Sequence, residues 1–223
     1  MDAIKKQWKY YVSVFGISTA FLAFFYLYKK YLAKAIDSST LHFNLYPLSK
    51  EDAENRSSIV NSDNLTYTLF LNLKDKNTMN NDFEGSVIID FALHKVENLF
   101  LDFHGIVTKI VLNNKEISPS SYSRDRIYLS SYDLLKQNKV LIEFKSIYSN
   151  TEHGLRFIKS DDFNTYITSN FEPFYAHTVF PCFNQIDLKA NIKLFLATHK
   201  EFEAISSGIL LLIINLRFKY EFT

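Results

Sequence analysis

From Thr66 the chain alternates apolar and polar positions. Tyr67, Leu69, Leu71 and Leu73 fall on one side, with Thr66, Thr68 and Asn72 on the other. A period of two places one set of side chains on the core face of a strand. The pattern returns with Val87, Ile89, Phe91 and Leu93 against Ser86, Asp90 and His94. Leu99 to Phe103 is a short apolar run. Ile110–Leu112 and Ile117 flank Asn113-Asn114, and asparagine tolerates the positive φ of a tight hairpin turn. Arg126–Leu129, Val140–Lys145, Leu155–Ile158, Tyr166–Thr168 and Ile192–Ala197 are further expected strands. Ser131 to Lys136 is expected to form a helical turn capped by Ser131. Short strands at regular spacing predict an all-β fold, a sandwich or barrel.

Two stretches before Leu65 differ. Tyr10 to Tyr28 carries no charge. As a helix it would span about 28 Å, close to the ~30 Å hydrocarbon core of a bilayer. Trp8, Tyr10, Tyr11, Tyr26 and Tyr28 lie at its ends, where amphipathic rings favour the membrane interface. Residues 1–36 are therefore expected as a tail and a single membrane anchor. A cleaved signal peptide and a buried or interfacial helix are the rival readings. Lys5, Lys6 and Lys9 precede the run, and Lys29, Lys30 and Lys34 follow it, so the charge balance does not fix the orientation. Residues 37–64 are polar and read as a linker with too little apolar content for a core. Asn55-Arg56-Ser57 and Asn64-Leu65-Thr66 match the glycosylation acceptor pattern, a weak signal for an outside location.

Composition narrows the function classes. The 223 residues carry a net charge of +1, which argues against a polybasic nucleic-acid binder. Cys182 is the single cysteine, so no intrachain disulfide can form. The six histidines are His42, His94, His104, His153, His177 and His199. No two are four apart, and none belongs to an HExxH motif, in which paired histidines on one helix face bind zinc.

The most specific stretch is Tyr166 to Lys189, YITSNFEPFYAHTVFPCFNQIDLK. It resembles the aminopeptidase N family's segment of the form YTQFEPxDAHRVFPCFDQPDLKA. Phe83-Glu84-Gly85-Ser86-Val87 resembles that family's FxGxV strand, Leu99 to Gly105 its LxLDxxG run, and Gly154 to Phe157 its GLxRF run. The matches are collinear over about Leu65 to Ser207. The resemblance implies a saddle-like β-sandwich over residues 65–208, normally packed on a zinc-binding catalytic domain. In the family that second domain carries GxMEN and HExxH; neither motif occurs in this chain, so zinc is expected only with the absent domain. The resemblance also implies a short cytoplasmic N-terminus, with the β-domain outside.

In the family the carboxylate of the FEP segment holds the substrate's free α-ammonium. The position falls on Glu172 here, with Asn170 where the family usually has glutamine. A buried carboxylate paired with an ammonium separates a free peptide N-terminus from an internal peptide bond. Pattern alone leaves Glu172 open as an ordinary solvated turn carboxylate. Tyr175, Thr178, Asn184 and Ile186 stand where the family usually has Asp, Arg, Asp and Pro. Loss of several charges together implies a network dismantled as a unit.

Residues 209–223 open with Ile209 to Leu216, an apolar run too short to span a membrane. They are expected as an atypical end, either foreign to the fold and truncating it or an added strand on the sheet. Two functions remain: an incomplete zinc aminopeptidase whose β-domain recognises a peptide N-terminus, and a non-catalytic, membrane-tethered module that binds a partner protein.

Overall fold

A computed structural model describes residues 48–73, 81–161, 164–198, 202–206, 208 and 214–215. They form a β-rich fold with one α-helix. Helix α1 (Lys50–Ile59) leads into β1 (Val60–Asn72). There follow β2 (Asp82–Leu93), β3 (Leu99–Asp102), β4 (Ile106–Leu112), β5 (Lys115–Ile117), β6 (Tyr122–Ser123) and β7 (Arg126–Leu129). The chain continues through β8 (Gln137–Ile147), β9 (Gly154–Lys159), β10 (Thr165–Asn170), β11 (Asn191–Thr198) and β12 (Ile214–Asn215). Seven strands make one sheet in the order β12-β11-β1-β2-β8-β4-β5; β3-β7-β6 and β9-β10 form two smaller sheets.

The period-two pattern explains the large sheet. Leu65, Tyr67, Leu69 and Leu71 of β1 are buried, as are Val87, Ile89 and Phe91 of β2 and Val140, Ile142 and Phe144 of β8. On the other face, charges meet across the ladder. Glu84 lies opposite Lys145, and Asp90 opposite Lys139, with ion pairs of 2.8 and 3.2 Å. Leu99, Leu101, Ile127 and Leu129 of the three-stranded sheet join the same core cluster. Phe103, just past β3, meets Phe144 of the large sheet edge-on at 5.1 Å. Asn113 and Asn114 take φ of 51° and 67° between β4 and β5, the expected hairpin turn.

Two expectations are corrected. Residues 50–64, read as linker, are helix and strand. Ser49 Oγ accepts the Asp52 N–H at 3.0 Å, Glu51 and Asp52 sit in the first turn, and Arg56 in the last. The helix buries only Arg56 and Ile59. A buried anchor that is a charged arginine gives no apolar periodicity. Residues 131–136 form no helix: Ser130, not Ser131, organises a turn, accepting Tyr132 N–H on Oγ and Asp133 N–H on its carbonyl. Ser131 N–H instead goes to Asn98 Oδ1, and buried Asn138 holds both backbone groups of Leu135.

The expected anchor, residues 10–28, lies outside the described residues. Among the described residues no helix is long and apolar enough to cross a membrane. Of residues 209–223 only Ile214 and Asn215 are described, paired in parallel with Ala197 and Thr198.

Candidate functional site

The β9–β10 hairpin delivers the chain to the stretch that resembles the aminopeptidase signature. At the end of β10, Asn170 Oδ1 accepts the Glu172 N–H at 3.2 Å, and Tyr175 N–H closes the turn on Phe171 O at 2.8 Å. The Glu172–Pro173 peptide is cis. The sequence-predicted pair, Asn170 and Glu172, therefore meets through a side chain-to-backbone bond, and both residues are exposed. Among the described residues the Glu172 carboxylate makes no hydrogen bond or ion pair.

Beside that turn opens a cleft of about 240 Å³. Phe171, Pro173, Phe174, Asn184, Ile186 and Ile192 line it, so Glu172 stands between two wall residues. Behind the wall the chain is tightly held. Cys182 exchanges both backbone bonds with Asp102 (2.8 and 3.0 Å), and the buried Tyr67 hydroxyl accepts Phe183 N–H at 3.0 Å. Burial pushes the Tyr67 phenol and the Cys182 thiol well above their ordinary values, so both stay neutral.

Three of the four departures from the family pattern are absorbed by neutral side-chain contacts. The Tyr175 ring stacks on His153 at 4.1 Å and 3°, and on Phe174 at 5.1 Å and 11°. Thr178 Oγ1 donates to Tyr175 O at 2.8 Å. It also lies 2.8 Å from where a Cβ at Gly154 would stand, and Gly154 takes φ +81°. Asn184 Nδ2 donates to Phe174 O at 2.6 Å and sits 2.8 Å from His177 Nδ1. Ile186 is 80% exposed. Burial holds His177 below its usual pKa, so the ring is neutral.

The sequence reading missed the group that fixes the loop. Arg56 of α1 is 1% exposed. Its Nη1 donates to Asp102 Oδ2 at 2.7 Å and its Nε to Gln185 Oε1 at 2.8 Å, with Phe100 O at 3.5 Å from Nη1. The guanidinium lies over Phe100 at 4.8 Å and near Phe183 at 5.9 Å. Gln185 Nε2 returns to Ala53 O and Ser57 Oγ, and Ser57 Oγ donates to Asp187 at 2.5 Å. That bond holds the Asp187 carboxyl below its ordinary value. Asp102 offered the available signal, an acid inside the apolar run LFLDF, which needs a buried partner.

Among the described residues no three His, Cys, Asp or Glu side chains converge as a metal ion requires. His104 instead pairs with Asp125 at 3.1 Å. The described residues do not fit a zinc site.

The sequence profile of the peptidase M1 N-terminal domain matches residues 61–210, more than half of the chain. The chain belongs to this family. The domain starts earlier than the expected residue 65, in step with β1. No curated protein matches the sequence. Among solved structures, native yeast LTA4 hydrolase shares 16% identity over 68% of this chain and 26% of its own length, with a TM-score of 0.47. A mutant M1 zinc metallopeptidase from Deinococcus radiodurans, bound to a Tyr-Ser-Ala substrate, shares 13% over 59% of this chain and 31% of its own, with a TM-score of 0.45. The chain thus spans less than a third of these proteins' length.

Proposed function

We propose that this M1 N-terminal domain contributes Glu172 to recognition of a peptide's free N-terminus, in a zinc aminopeptidase whose zinc-bearing domain is separate from the residues described. The carrying observation is the state of Glu172: an exposed carboxylate without a partner among the described residues, at the rim of an apolar cleft. A carboxylate so placed can take up an α-ammonium once a second surface closes over it. The charge-assisted contact then gains from exclusion of water. The apolar walls suit the side chain of the first residue. Asn170 orients the Glu172 backbone rather than the carboxylate. The large and three-stranded sheets, sharing one core, support the saddle-like β-sandwich reading, and residues 10–28 are proposed as the membrane anchor, with this domain outside the cytoplasm.

The second reading, a non-catalytic module binding a partner protein, is favoured by Ile186. It is 80% exposed beside half-exposed Ile192 and Phe174. Fusing the chain to a relative's zinc-bearing domain separates the two. Chelator-sensitive release of amino acids from aminoacyl reporters, impaired by Glu172→Ala, supports the aminopeptidase reading. A folded, zinc-loaded but inactive fusion favours the second reading.

A further inference from the structure

The hydrogen bonds around Arg56 run without a break from helix α1 to the turn that carries Glu172. Arg56 Nη1 donates to Asp102 Oδ2, and the same oxygen accepts the Asn184 N–H at 3.2 Å. Asn184 Nδ2 then donates to Phe174 O, inside the Glu172–Tyr175 turn. A second arm joins Arg56 Nε to Gln185, whose amide returns to the helix at Ala53 and Ser57. A third joins Ser57 to Asp187. Three residues of the loop are thus tied to one helix: Gln185 and Asp187 directly through their side chains, and Asn184 through its backbone N–H to Asp102.

We infer that Arg56 is a positioning residue for Glu172, and that α1 is a strap which sets the cleft wall from behind. The inference rests on the Glu172 reading above. It extends the functional unit upstream, since α1 precedes the matched residues 61–210. The chemistry of the pair supports positioning over bulk stabilisation. Arg56 Nη2 is buried without a hydrogen-bond partner, so the cost of desolvating the cation is incompletely offset. Apolar side chains in place of both Arg56 and Asp102 would serve packing alone at least as well. The planar guanidinium supplies instead a rigid fork that fixes Asp102 and Gln185 at set angles.

Amide hydrogen exchange on the full 223-residue chain tests this without substrate, so its outcome is independent of whether Glu172 binds an ammonium. Arg56→Lys keeps the charge opposite Asp102 and loses the fork. The expected result is exchange roughly tenfold faster at Asn184 and Tyr175, with β2 and β8 amides within about twofold of the parent. Unchanged protection at Asn184 and Tyr175 in a folded Arg56→Lys chain overturns the inference. If that variant loses β2 and β8 protection, Gln185→Leu, which leaves the Arg56–Asp102 pair intact, decides by the same two criteria. Collapse of both variants makes Arg56 a core stabiliser and also overturns the inference.

Discussion

Replacing Asp102 by leucine tests the buried pair at its more accessible end. Asp102 is 14% exposed and Arg56 1%, so the carboxylate retains some contact with water while the guanidinium has almost none. In Asp102→Leu, Arg56 Nη1 loses its anion while Nη2 is already without a partner, leaving a cation buried against Phe100 and Phe183. Orphaning one member of a buried pair costs about 3–5 kcal/mol. Gln185 still takes Nε, so the lower end, about 3 kcal/mol, is expected, or a Tm lower by roughly 6–12 °C. Arg56→Leu removes the cation instead and leaves an acid that keeps the Asn184 N–H, a smaller loss of about 1–3 kcal/mol. The double variant should recover part of the damage, lying about 1–2 kcal/mol above the sum of the singles. Urea unfolding followed by far-UV circular dichroism reads all three. A loss below about 1 kcal/mol for Asp102→Leu, or strict additivity, would refute the reasoning.

Four further outcomes are expected. His177 is held below its ordinary value of 6.5 by burial, so the unfolded chain takes up the proton first as the pH falls. The associated stability is fully present above pH 6.5 and lost below it, by at most about 1.4 kcal/mol per pH unit. His177→Gln should flatten that part of a Tm–pH profile, and an unchanged slope would remove His177 as the cause. In the β4–β5 turn, Asn114→Gly should stabilise by a few tenths to about 1 kcal/mol, because φ of 67° suits glycine. Asn113→Gly should instead cost about 1–2 kcal/mol in the same denaturation assay. It removes side-chain bonds to Asp133 O, Asn138 Oδ1 and Lys139 N. Residues 10–28 should retain the chain in membranes through an alkaline carbonate wash, and recovery in the soluble fraction would contradict the proposed anchor.

Much of the sheet was legible because each central strand buries one face. Tyr67, Leu69 and Leu71 alternate with half-exposed neighbours, so a period of two identifies β1 and its core side together. The Asn113-Asn114 turn was legible for a local reason, the tolerance of asparagine for positive φ. The parallel pairing of β11 with β1 was not, because its register, Tyr67 opposite Ile192, is fixed across more than a hundred residues of chain. Helix α1 was hidden because a helix tethered by one buried arginine shows no apolar stripe. At the site, the resemblance singled out Glu172, but the walls of its cleft and the Arg56 network arise only when β3, α1 and the 182–188 loop meet.

Glu172 bears the central claim most directly. In a fusion of this chain with a relative's zinc-bearing domain, kcat/KM is measured for a peptide with a free N-terminus and for its N-acetylated counterpart. Glu172→Ala should lower the first by roughly 10- to 150-fold, the equivalent of ~1.5–3 kcal/mol for one charge-assisted contact. It should leave the second, which lacks the ammonium, nearly unchanged. Glu172→Gln should fall between, keeping shape and a neutral acceptor. An active fusion whose preference for the free N-terminus survives Glu172→Ala would contradict the account.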